Sequence, residues 1–224
     1  TVKGGVVMQQ VSGDRRRATR DLDLDFVRYP MTDNGIRSFI RTLCPAGAGV
    51  QLEIVGPIED LKHQDYHGKR VCLRITDSHG TSMETKLDLG VHVSLSLEQQ
   101  ELWFDTALQD EGVALMANSK EQVCAEKLRS LLRIGAASTR FKDVFDVYYL
   151  LCCEGVDAGA LNSAMHVLVY DATDMREGGP FDVRARLSRV FNDRRFRRNL
   201  GNARNNWLGA SVEKVIAGIL RYFG

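Results

Sequence analysis

Leu22, Leu24 and Phe26 alternate with Asp21, Asp23 and Asp25, so this stretch predicts a strand with one apolar and one carboxylate face. Ile36, Phe39, Ile40 and Leu43 follow at helical spacing, and Pro45 with the glycines of 47–49 predicts where that helix stops. Strand-like segments recur at 50–55, 70–76 and 82–93, the last two joined by Ser78-His79-Gly80 as a hairpin turn. From about residue 97 the period reads as helical, which places a domain boundary there. Ser119, with Gln122 three residues on, has the form of a capping box and predicts a helix through Arg133 that stops near Gly135. Further helices are expected at 141–153 and 158–170, followed by a loop from Thr173 to Pro180 and an arginine-rich segment. Val212, Val215, Ile216, Ile219, Leu220 and Phe223 form the apolar stripe of a terminal helix. The expected fold class is α+β. Residues 1–96 form a mixed β-sheet with flanking helices, and residues 97–224 form a helical C-terminal domain.

Composition narrows the partners more than the fold. A hydrophobic content of 44% in 224 residues is enough for a buried core. Thirty basic residues against 29 acidic ones leave a formal charge of +1, so an anionic partner must be met by a local patch. Cys44, Cys72, Cys124, Cys152 and Cys153 are odd in number and contain no C-x-x-C pair, which predicts a reduced, cytoplasmic protein. No apolar run approaches the roughly 20 residues that cross a bilayer, and no leader pattern opens the chain, so no membrane partner is expected. Thr1-Val2-Lys3-Gly4-Gly5 reads as the end of an element begun upstream, an expectation of N-terminal truncation.

Three features carry candidate chemistry. On a strand, Asp21, Asp23 and Asp25 share a face about 7 Å apart in succession, and their mutual repulsion needs relief. A divalent cation supplies it, because magnesium is commonly held by one or two carboxylates plus substrate phosphates. A solvated edge strand explains an isolated D-x-D as well. Lys86-Leu87-Asp88-Leu89 has the same alternation, so Asp88 becomes a third carboxylate if its strand lies beside the D-x-D strand. The alternative is a surface ion pair of Lys86 with Asp88. Gly4 and Gly5 lead into Val6-Val7-Met8, a helix start whose backbone amides can approach phosphate oxygens, with Lys3 as a nearby charge. An ordinary tight turn is the plainer explanation of the glycine pair.

The order of these strings resembles the nucleotidyltransferase fold of the polymerase-beta-like superfamily. Lys3-Gly4-Gly5, Thr19-Arg20-Asp21-Leu22-Asp23-Leu24, Lys86-Leu87-Asp88, Ala125-Glu126-Lys127-Leu128 and Lys142-Asp143-Val144-Phe145-Asp146 together resemble the AbiEii/AbiGii toxin nucleotidyltransferases of type IV toxin–antitoxin and phage-defence systems. The resemblance covers residues 3 to about 150. It implies a nucleotidyltransferase-like sheet whose active-site cleft the helical domain completes. It makes Asp21 and Asp23 metal ligands, Asp88 the later strand carboxylate, and Gly4 and Gly5 the triphosphate-contacting turn. Lys127 is then the helical lysine that reaches nucleotide phosphates, with Asp143 and Asp146 in the element that follows. Lys142 stands where arginine is common, and Val6 replaces a small hydroxyl residue.

Read from the residues alone, Asp143 and Asp146 share a helix face and could accept from Lys127, Arg133 or Arg140, so Asp146 either orients Lys127 or touches substrate. Arg184, Arg186, Arg189, Arg194, Arg195, Arg197 and Arg198 cluster with Phe191 and Phe196, and Arg15, Arg16, Arg17 and Arg20 precede the D-x-D strand. Both clusters could guide an RNA backbone by counterion release, or be solvated helix faces. Trp103 and Trp207 read as packing residues. His63, His67, His79, His92 and His166 have no metal spacing. The expected activity is transfer of a nucleoside monophosphate from a nucleoside triphosphate to an acceptor hydroxyl on tRNA or protein. It would use two Mg2+ ions, or Mn2+, and the expected partner is a cognate antitoxin encoded nearby. A catalytically silent nucleic-acid or partner binder, and an enzyme of small metabolites, are the alternatives.

Overall fold

A computed structural model describes the chain except Arg20, Val93, Leu95, Ala203, Asn205 and residues 45–48, 62–67 and 107–108. The predicted helix stop at Pro45 and Gly47, and His63 and His67, lie outside the described residues. The chain divides into two compact units: Thr1–Gln10 with Ala18–Asn118, and Val11–Arg17 with Ser119–Gly224.

The first unit is built on an eight-stranded mixed sheet. Its strands are β1 (Val2–Lys3), β2 (Leu22–Phe26), β3 (Val50–Ile54), β4 (Glu59–Asp60), β5 (Lys69–Asp77), β6 (Ser82–Val91), β7 (Gln99–Thr106) and β8 (Gln109–Asn118). They run in the order β3-β5-β6-β2-β1-β8-β7, with β4 paired to β5. β2 is parallel to β6 and antiparallel to β1. Helix α1 (Gly4–Ser12) follows β1 directly, and α2 (Asp33–Leu43) follows β2. α2 starts where the Thr32 hydroxyl accepts from Gly35 N, and it buries Ile36 and Ile40. These two pack with Phe26, Val71, Leu73, Leu87 and Leu89, the apolar side of the alternation in β2, β5 and β6. The β5–β6 turn is fixed by Asp77, whose carboxylate accepts from His79 N and Thr81 N, with Gly80 at φ +81°.

The second unit is helical: α3 (Lys120–Ile134), α4 (Phe141–Tyr149), α5 (Ala158–Met165), α6 (Pro180–Asn192), α7 (Arg194–Gly201) and α8 (Val212–Tyr222). Single π-helical turns extend α4 over Leu150–Glu154 and α5 over His166–Tyr170. At α3 the capping box is half formed. Ser119 accepts from Gln122 N at 3.1 Å, while the Gln122 amide donates to Glu126 at 2.9 Å. Asp193 breaks the arginine-rich segment into two helices, its carboxylate capping α7 at Phe196 N. Among the described residues no helix is long and apolar enough to cross a membrane.

The structure corrects the boundary at 97. Residues 99–106 and 109–118 are the antiparallel strands β7 and β8 of the sheet unit, and the helical period begins only at Lys120. Leu102, Trp103 and Phe104 are contiguous, as are Leu115 and Met116, so the alternation that marks a half-buried strand is lost.

Candidate active site

Pairing across the sheet sets one row of charged side chains. Lys3 on β1 pairs with Asp23 on β2, Asp23 with Asp88 on β6, and Asp88 with Arg70 on β5. Laterally paired residues project from the same face, so Asp23 and Asp88 are neighbours on strands about 4.8 Å apart. Such adjacent carboxylates repel, and basic neighbours relieve them. Arg70 clasps Asp88 with Nε and Nη2, both at 2.7 Å, and Lys3 Nζ lies 2.6 Å from Asp25. The bond to Asp88 holds the Arg70 guanidinium above its already high pKa, with Asp21 among the nearby charges that add to this. Asp21 is exposed and precedes β2 by one residue.

The glycine pair is shaped by this row. A Cβ on Gly4 would lie 2.7 Å from Asp23 Oδ2, and Gly4 has φ +63°. A Cβ on Gly5 would lie 2.5 Å from the Thr19 hydroxyl. The first residues of α1 therefore sit directly against the Asp23 carboxylate and the Thr19 side chain, which explains why neither position carries a side chain.

Lys3 is buried with Asp25, so its ammonium is committed to a carboxylate. Asp88 is paired with Arg70 and not with Lys86, which is exposed. Among the described residues no group of three or more His, Cys, Asp or Glu side chains is arranged to hold a metal ion. The chemistry of the donors fits a hard cation at Asp21 and Asp23, two carboxylates with substrate phosphates completing the shell. Asp88 would join only by exchanging Arg70.

In the helical unit, Lys127 on α3 meets Asp143 and Asp146, one turn apart on α4, at 2.5 and 3.0 Å. Asp146 is fully buried and accepts three further bonds: Arg17 Nε and Nη2, each at 2.6 Å, and Trp207 Nε1 at 2.9 Å. Burial alone would push the Asp146 carboxyl up, but Lys127 and Arg17 outweigh it and hold it below the ordinary carboxylate range. Burial likewise opposes the Lys127 charge, yet Asp143 and Asp146 hold its ammonium well above the ordinary lysine value. Lys127 is thus a fixed cation rather than a proton acceptor. Asp146 meets it from the buried side. Lys142, where the resemblance departs from arginine, is pushed down by burial and by the Arg17 charge.

Arg17 and Trp207 were not singled out for this role by sequence. Arg17 is one of three consecutive arginines, and Arg16 instead pairs with Asp14 at 2.7 Å. The one signal was Asp146 itself, an acid flanked by Val144, Phe145 and Val147, a buried helical position where a carboxylate requires a cation. Trp207 is 4% exposed and packs on Tyr149, whereas Trp103 is 56% exposed, contrary to the packing role expected of it.

Arg194, Arg195, Arg197 and Arg198 are exposed on α7, while Phe196 and Leu200 face the core and Arg197 reaches Glu213 at 3.4 Å. Phe191 and Phe196 are buried and so present no stacking surface. Arg20 lies outside the described residues. In comparison with known families, residues 1–214 match the one described as nucleotidyl transferase AbiEii toxin, type IV TA system. No curated protein matches the chain.

Proposed function

The chain belongs to the AbiEii family of nucleotidyl transferase toxins of type IV toxin–antitoxin systems, and on that footing we propose that it moves a nucleoside monophosphate from a nucleoside triphosphate to an acceptor hydroxyl. The acceptor oxygen forms a bond to the α-phosphorus, the bond from that phosphorus to the pyrophosphate oxygen breaks, and the hydroxyl proton leaves to a carboxylate or to solvent. We assign Asp21 and Asp23 to Mg2+, which would neutralise charge on the phosphates when bound. A second ion, or Mn2+ in place of Mg2+, belongs to the same reading.

The observation that carries this reading is the register of Asp23 beside Asp88, with the start of α1 against the Asp23 carboxylate. Backbone amides at Gly4 and Gly5 are suited to phosphate oxygens; in the helical unit taken by itself, Lys127 is kept protonated by Asp143 and Asp146, which suits it to an anionic group. Catalysis of this kind needs positioning and charge neutralisation more than covalent chemistry. Family membership supplies a nucleotide substrate and a cognate antitoxin as partner. We propose a tRNA end as the acceptor, with a protein hydroxyl second, because the exposed arginines of α7 suit a phosphate backbone.

A second reading, a silent nucleic-acid binder, is favoured by one observation: both oxygens of Asp88 are engaged by Arg70. Incubation with each labelled nucleotide, Mg2+ and total tRNA separates the two. Label on RNA or protein that disappears in Asp21→Ala and Asp23→Ala supports transfer. Salt-sensitive RNA binding without any label supports the silent binder, and label retained in both variants would overturn the metal assignment.

A further inference from the structure

The hairpin of β7 and β8 ends the sheet, and among the described residues β7 has no strand on its outer side. Its free N–H and C=O groups form a template for another extended chain. Exposed apolar side chains stand on both faces of the hairpin: Trp103 (56%) and Met116 (48%) on one, Leu115 (40%) and Val113 (39%) on the other. Trp103 rests on a prepared floor. A Cβ on Gly112, in the neighbouring strand, would lie 2.4 Å from the indole Nε1, so the glycine lets the ring lie down on β8 with its outer side open. An aromatic side chain held in this way is the usual anchor of an interface.

Charge states what kind of chain can dock there. Residues 96–118 contain five acids, Glu98, Glu101, Asp105, Asp110 and Glu111, and neither Lys nor Arg, in a protein whose formal charge is +1. Glu101 and Asp105 flank Trp103 on its own face of β7, both are exposed, and neither has a cationic partner among the described residues. Such a surface repels nucleic acid. It also disfavours a second copy of this chain. Antiparallel pairing of two β7 strands about Trp103 sets Glu101 opposite the copy's Asp105 on both sides. Pairing about Leu102 sets each indole against a glutamate. An extended segment with basic residues on the Trp103 face meets neither obstacle.

We infer that the outer edge of β7 is a docking site for an extended, basic segment of a partner protein, which adds as a strand, pairs Glu101 and Asp105 with its basic side chains, and packs on Trp103. The test uses a fluorescently labelled peptide of alternating lysine and valine, titrated with the full chain and followed by anisotropy. The comparison peptide has prolines in place of the valines, which keeps the charge, removes the N–H donor of every second residue and bars the chain from a regular ladder. The expected result is binding of the lysine–valine peptide that weakens about tenfold in Trp103→Ala and in Glu101→Lys, with unchanged unfolding midpoints. Both side chains are exposed, so neither change removes core packing. Equal binding of the proline peptide would reduce the effect to ionic attraction and overturn the proposal. So would unchanged affinity in Trp103→Ala, or a sedimentation shift showing self-association that Trp103→Ala abolishes.

Discussion

Asp146 has no exposed surface, and its stability rests on Arg17, Lys127 and Trp207. Removing it leaves two cations facing each other in the interior, so Asp146→Ala should cost about 3–5 kcal/mol in denaturant unfolding. The pH dependence has a definite sign. The folded carboxyl lies below its ordinary value, so its contribution is complete above about pH 3.9 and is lost as pH falls toward the folded pKa. Lys127 lies above its ordinary value, so its share is complete below about pH 10.4 and is lost only as pH rises through the folded pKa. Acid titration of stability should therefore show a step in the native chain that Asp146→Asn lacks. Gly4 offers a second test at this scale. Gly4→Ala and Gly13→Ala both place an alanine at positive φ, near +60°, but only the first would collide with Asp23. Each should lose about 1–2 kcal/mol of stability. Only Gly4→Ala should also lower nucleotide transfer, by about a hundredfold if Asp23 is displaced.

Among the elements, β5 and β6 act as a clamp on the candidate site, because the pairing of Arg70 with Asp88 spans adjacent strands. Replacing Arg70 by alanine leaves Asp88 charged beside Asp23. The variant should be less stable without divalent cation, and Mg2+ should raise its unfolding midpoint more than that of the native chain. An equal Mg2+ shift in both would separate Asp88 from cation binding. Helix α3, which carries Lys127, depends on its first turn. Ser119→Ala removes the bond to Gln122 N and should destabilise the protein by about 1 kcal/mol, read as a lower melting temperature.

Over the whole molecule, near-neutral net charge conceals separation of charge along the chain. Residues 184–198 carry seven arginines and one acid, while 96–118 carry five acids and no Lys or Arg. If the arginine-rich face meets an RNA acceptor, reversing Arg194, Arg195, Arg197 and Arg198 to glutamate should weaken tRNA binding at low salt. It should also flatten the dependence of affinity on salt by about 0.7–0.9 in log–log slope for each RNA phosphate that is no longer neutralised. An unchanged slope would place RNA elsewhere.

Local spacing was enough to read β2, α2, β5, β6, the start and end of α3, and the terminal helix, because each is an alternation, a stripe or a cap within a few neighbouring residues. The ordered motifs were also legible, since Gly4, Gly5, Asp21, Asp23, Asp88 and Lys127 keep recognisable neighbours. The β7–β8 hairpin was not legible: apolar residues on both of its faces erase the two-residue period. Charge pairing was not legible either. Arg17 joins Asp146 across 129 positions and Arg70 joins Asp88 across 18, and nothing in the residues next to either arginine marks its partner. Which cation meets which buried carboxylate follows from strand register and helix packing. Folding alone brings those side chains together, and burial then makes each pairing obligatory.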